Sequence, residues 1–65
     1  MPKISLKAAR VNKNLTQEEA AKNLGIGVAT LKSWEAGKSF PKQPQIERIC
    51  EVYEISYDYI DFCAK

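Results

Sequence analysis

The chain contains no histidine. That removes the one side chain whose ordinary pKa lies near neutrality, so no imidazole can act as metal ligand, general base or physiological pH switch. Cysteine is scarce: Cys50 and Cys63 are the two in the sequence, too few for a disulfide-dense scaffold or a four-ligand zinc site. No apolar run approaches the ~20 residues of a membrane span, and the basic N-terminus has no apolar signal core behind it. Strand signals are sparse, since no segment alternates apolar and polar residues for long. Repeats, low-complexity stretches and long linkers are missing too. What remains is 65 residues, 45% hydrophobic and 28% charged, the balance of an ordinary soluble globular domain. The expectation is one small intracellular domain spanning residues 1–65, with no membrane contact.

The net charge of +2 hides an asymmetry. Residues 1–42 carry seven lysines and Arg10 against Glu18, Glu19 and Glu35, a surplus of five positive charges. Residues 43–65 carry Arg48 and Lys65 against Glu47, Glu51, Glu54, Asp58 and Asp61, a surplus of three negative ones. One face suited to a polyanion and another turned away from it would produce such a split, although solvated charge runs are common.

Helix signals are dense. Ser5 to Asn12 reads as a first helix with Leu6, Ala9 and Arg10 on one side. Thr16-Gln17-Glu18-Glu19 has the form of a capping box, in which the Thr16 hydroxyl accepts from the Glu19 amide and the Glu19 carboxylate reaches back. A second helix then runs from Gln17 to Leu24 and stops at Gly25, which tolerates the left-handed conformation. Gly27 is an acceptable N-cap for a third helix, Val28 to Ala36, with Gly37 as its stop. Pro44 suits the first turn of a fourth helix bearing Ile46, Ile49, Cys50 and Tyr53 at helical spacing. Ser56 can cap a short fifth helix carrying Tyr59, Ile60 and Phe62. The fold class expected is all-α, five short helices with tight connections.

Residues 17–36 form a unit of helix, three-residue turn and helix, with small Ala21 where the helices cross and Gly25 in the turn. The pattern Leu15-Thr16-Gln17-Glu18-Glu19-Ala20-Ala21, Leu24-Gly25-Ile26, Trp34-Glu35-Ala36-Gly37-Lys38 and Pro41 resembles the Cro/repressor-type helix-turn-helix domain, XRE-like and lambda-repressor-like. The resemblance covers residues 6–62. It implies a compact lambda-repressor-like domain that binds double-stranded DNA as a transcriptional regulator in a bacterial or phage-infected cell, cytoplasmic and nucleoid-associated.

At about 100° per residue, Leu31 and Trp34 share one side of the third helix, with Glu35 at its edge. Val28, Ala29, Lys32 and Ala36 cluster opposite, flanked by Ser33. A small-residue face of this kind can approach closely into the ~12 Å-wide major groove. Taken from the residues alone, it serves equally as a solvated helix surface. The resemblance implies more. Gln17 would hydrogen-bond a DNA phosphate, assisted by helix-end amides. Gly27, Val28, Ala29, Lys32 and Ser33 match groove-facing positions, and Lys38, Ser39 and Lys42 match a stretch that contacts the DNA backbone. Arg10 and Glu35 stand where lambdoid-phage repressors carry an internal ion pair, a structural assignment and not a catalytic one.

Two departures from the family pattern stand out. Ala20 replaces the usual leucine, leaving volume for Trp34 to fill. Gly27 and Val28 stand where the family tends to place polar residues. Val28 and Ala29 can touch a thymine methyl but cannot form bidentate hydrogen bonds to a base, so recognition leans on methyl contacts, on lysine to guanine and on DNA shape.

Residues 53–62 crowd Tyr53, Ile55, Tyr57, Tyr59, Ile60 and Phe62 together. Some of these close the core. The family commonly dimerises through its final helix, and the expectation is a homodimer, at least on DNA, meeting through Tyr57 and Ile60. It would read an inverted repeat with half-sites ~34 Å apart. Cys50 is read as a small core hydrophobe. A Cys50–Cys63 redox switch is disfavoured for an intracellular protein.

The leading functional reading is a small phage or prophage repressor or Cro-type protein, without the additional C-terminal domain of long repressors. The alternative is an antitoxin-like or adaptor module that binds a protein partner through its aromatic C-terminal patch. An enzyme is rejected: there is no phosphate loop or metal-ligand cluster, the carboxylates are scattered, and no cofactor, catalytic or metal site is expected.

Overall fold

A computed structural model describes residues 3–62. The best-specified element is α2, Gln17–Leu24. Thr16 Oγ1 accepts from the Glu19 amide at 3.1 Å, and the Thr16 amide donates to Glu19 Oε1 at 2.9 Å. The donation from the Thr16 backbone holds the Glu19 carboxyl below its usual pKa. Gly25 then ends the helix with φ +73°, so an L side chain there would be strained. Arg48, from the fourth helix, donates to the Asn23 carbonyl at 3.2 Å, satisfying one of the acceptors that every helix C-terminus leaves open.

The other helices follow similar logic. α1, Leu6–Asn12, begins with the Ser5 hydroxyl accepting from the Ala8 amide at 3.1 Å. α3, Val28–Glu35, starts at Gly27 without a side-chain cap and ends one residue earlier than the sequence suggests, with Ala36 as its C-cap. α4, Gln43–Val52, carries Pro44 in its first turn, and the Gln45 side chain accepts from the Lys42 amide at 2.8 Å.

The C-terminal segment corrects the expected fold in two ways. The fifth helix is only a 3-10 turn, Tyr57–Tyr59, without a side-chain cap from Ser56. The chain then enters a two-residue strand, β2 (Ile60–Asp61), which pairs in parallel with β1 (Ile4–Ser5), setting Ile4 beside Ile60 and Ser5 beside Asp61. The described residues are therefore mostly helical, with four α-helices, but not wholly α. Two-residue strands are too short for alternation to register, and a parallel pair joins segments far apart in sequence.

The core is a single cluster of Leu6, Ala9, Ala20, Ala21, Leu24, Leu31, Trp34, Ile49, Tyr53 and Ile60. Ala20 is wholly buried, and Trp34 is buried in the same cluster. Cys50 is partly buried and packs against this cluster, and burial pushes its thiol pKa up. Cys63 lies outside the described residues. Tyr53 brings its hydroxyl into the interior with no hydrogen-bond partner among the described residues. Its pKa is pushed up to about 12, first by burial and then by the nearby Glu35 charge, with Arg10 opposing. No helix among the described residues is long and apolar enough to cross a membrane.

Candidate nucleic-acid interface

The inner side of α3 is anchored by charge as well as by packing. Leu31, Trp34 and Glu35 are all buried. Arg10 Nε donates to Glu35 Oε2 at 2.8 Å, and Arg10 Nη2 reaches Glu35 Oε1 at 3.4 Å. Arg10 Nη1 donates to the Leu15 carbonyl at 2.7 Å, just before α2. Gln17, the first residue of α2, donates its side-chain amide to Glu35 Oε1 at 3.1 Å. One carboxylate thus joins the end of α3 to α1 and to the start of α2.

The outer side of α3 is open. Ala29, Thr30, Lys32 and Ala36 are exposed, while Val28 and Ser33 are half-buried. Val28 packs against the core, so less of it reaches the outer face than the helical period alone suggests. Ala29, Lys32, Ser33, Ala36 and Lys38 line one shallow cavity of about 320 Å³. Four of the residues expected at the interface therefore come together on one surface. Gly27 and Val28, at the start of α3, and Lys42, at the start of α4, lie outside that cavity lining. Gly27 has φ −75° and open space around a would-be Cβ. Neither backbone conformation nor internal packing demands a glycine there.

The Ser33 and Ser39 hydroxyls are 2.8 Å apart. This bond ties the segment after α3 back onto α3. It also uses one of the pair's two hydroxyl hydrogens, leaving one for an outside acceptor. Buried Pro41 holds the far end of the same segment, and between them Phe40 is 55% exposed, flanked by the exposed Lys38 and Lys42.

Sequence reasoning passed over Phe40 and Thr30 beside this surface, and placed Ala36 on the outer face without giving it a contact. Phe40 was identifiable by its place between two lysines. Ala36 belongs to the outer face by helical period but offers no polar group. Thr30 carried no signal, because it falls at the border between the inner and outer sides of α3.

In the C-terminal segment, Tyr57 is 55% exposed and its ring stands 6.0 Å from that of Phe62. Ile60 does not join them. It is 2% exposed, held inward by its pairing with Ile4, so the expectation that it meets a dimer mate is corrected: its side chain is spent on the core.

The helix-turn-helix family profile matches residues 6–60 of the chain. The chain belongs to the helix-turn-helix family, of the Cro/repressor (XRE) type. This helix-turn-helix chain is 32% identical over 53 residues to an HTH-type transcriptional activator, BcrR, of Enterococcus faecalis. It is 35% identical over 46 residues to the cryptic phage CTXphi transcriptional repressor RstR of Vibrio cholerae. These alignments cover 82% and 71% of the chain but only 26% and 41% of the relatives, so the similarity is to one part of each longer protein. No solved structure matches it significantly.

Proposed function

We propose that this helix-turn-helix chain is a sequence-specific double-stranded-DNA-binding transcriptional regulator, most like a small phage or prophage repressor or Cro-type protein, with α3 in the major groove. The observation that carries this reading is the outer face of α3. Small, exposed Ala29 and Ala36 share one surface with Lys32 and Lys38, while the opposite side of the helix is locked into the core. Small side chains permit close approach to base edges, and flanking ammonium groups neutralise phosphate charge.

Within this reading Lys32 contacts a base edge, Ala29 and the exposed part of Val28 touch thymine methyls, and Gly27 faces the groove at the start of α3. The spare hydrogen of the Ser33–Ser39 pair supplies a single donor. Lys38, Ser39 and Lys42 contact the DNA backbone, and Gln17 contacts a phosphate from the start of α2. Two copies meeting around exposed Tyr57, without Ile60, would present two α3 helices to an inverted repeat.

The test is selection of bound sequences from a randomised duplex pool at near-physiological salt. Enrichment of an inverted repeat with half-sites about one helical turn (~34 Å) apart supports both specificity and the dimer. Binding without an enriched motif, fading as salt rises, would reduce the chain to phosphate attraction. On the selected duplex, Lys32→Ala should relax preference at one position by ~1–3 kcal/mol, whereas Lys38→Ala or Lys42→Ala should weaken every sequence alike and lower the salt slope by about 1. Identical behaviour of all three lysines would abolish the distinction between reading and anchoring.

A further inference from the structure

Glu35 has more partners than an ion pair needs. Its Oε2 is taken by Arg10 Nε, while its Oε1 accepts from both Arg10 Nη2 and Gln17 Nε2. A carboxylate can only accept, so it fixes which end of the Gln17 amide faces inward. Turning that amide over would set its carbonyl oxygen against Glu35 Oε1 and is disfavoured. The amide nitrogen therefore sits next to Glu35, with one hydrogen engaged and the second left for another acceptor.

We infer that Glu35 is a positioning residue for DNA: its carboxylate, itself held by Arg10, pre-sets the Gln17 side-chain amide so that its remaining N–H is offered to a phosphate oxygen. This rests on the reading of Gln17 as a phosphate contact and adds how that contact is made ready. The reason it matters is entropic. Immobilising a free side chain on binding weakens affinity by roughly twofold to tenfold, and a side chain already held avoids that loss. Two facts make the holding effective. Arg10 and Glu35 are both more than nine-tenths buried, and Arg10 has a second anchor on the Leu15 carbonyl, two residues before Gln17. The same guanidinium thus restrains both the carboxylate and the backbone leading into α2.

The experiment is a mutant cycle on the full chain, read as affinity for a mixed-sequence DNA duplex at low salt. Gln17→Ala is measured in the wild-type protein and in an Arg10→Met, Glu35→Met background. Replacing both charges with apolar groups leaves neither unpaired. The expected loss from Gln17→Ala is about tenfold in the wild type, typical of a hydrogen bond to a charged group. It should shrink to about threefold or less once Glu35 is gone. An equal loss in both backgrounds overturns the positioning role and leaves Gln17 as a plain phosphate contact. No loss in either, with binding still weakened by Lys38→Ala, removes Gln17 from the interface and the inference with it. Absence of any duplex binding by the wild type instead defeats the DNA-binding reading itself.

Should the double-methionine background not fold, side-chain relaxation of the Gln17 amide in the wild-type protein decides. An order parameter near that of rigid backbone, about 0.85, agrees with a pre-set amide, and one below about 0.6 in the free protein refutes it.

Discussion

The helix-turn-helix, residues 17–36, and the C-terminal segment, residues 53–62, contribute to the same core by opposite means. In the first, short-range devices define the chain before packing begins: the Thr16–Glu19 box opens α2, and Gly25 in the left-handed region closes it. In the second, almost nothing local is decisive. The 3-10 turn has no side-chain cap, Glu54 sits at φ +52°, and order comes from distant partners: Ile4 beside Ile60, and Lys13 bonded to Glu54. The contrast teaches that a segment rich in aromatics need not form a helix. It can serve as a clasp that brings the two ends of the domain together.

Substitutions can break or sharpen that contrast. The largest effect should come from Glu35→Ala, which strands the buried Arg10 guanidinium. Breaking such a pair costs about 3–5 kcal/mol, measurable by urea unfolding. A loss under about 1 kcal/mol would mean that packing alone holds the first region. Ile60→Ala probes the clasp and should cost about 2–4 kcal/mol, since Ile60 is almost fully buried and its removal leaves a cavity. If the C-terminal segment were merely laid over the surface, this variant would unfold like the wild type.

Tyr53 links the two regions, because its hydroxyl lies among core residues close to the Arg10–Glu35 pair. Its folded pKa of about 12 stands above the ordinary value of 10. The folded state therefore favours the protonated phenol. That contribution is fully present below pH 10 and is lost as pH rises through 12, amounting to roughly 2–3 kcal/mol. Thermal midpoints measured from pH 9 to 12 should fall less steeply for Tyr53→Phe than for the wild type. Parallel curves would show that the hydroxyl is not buried as described. The smallest effect is Thr16→Ala, about 1 kcal/mol from the lost cap, detectable as a shift in the urea midpoint. The Glu19 half of the same box should weaken as pH falls through the lowered carboxyl pKa, because protonation removes the negative charge that strengthens the bond from the Thr16 amide.

Much of the candidate interface is legible in the sequence. The period of α3 separated Leu31, Trp34 and Glu35 from Ala29, Lys32 and Ala36, because a helix of eight residues repeats its faces whatever it packs against. Val28 was less so. It lies on the outer face by angle, yet it packs against the core, since the first turn of α3 emerges directly from the tight turn after α2. The Gln17–Glu35 bond was not legible, as it depends on where two helix ends 18 residues apart come to rest.

The chain's own residues determined the elements that depend on near neighbours: four helices, their caps, the turn at Gly25 and the segregation of basic from acidic halves. Capping bonds, left-handed glycines and helical periodicity all act within a few residues, so they are encoded locally. Only the tertiary structure decided which groups share a carboxylate, that residues 57–61 form a turn and a strand, and that Ile60 faces inward while Tyr57 faces out. Those outcomes depend on pairings between segments up to 56 residues apart, as from Ile4 to Ile60. Such pairings form only when burial and backbone hydrogen bonding outweigh the entropy of closing the chain between them.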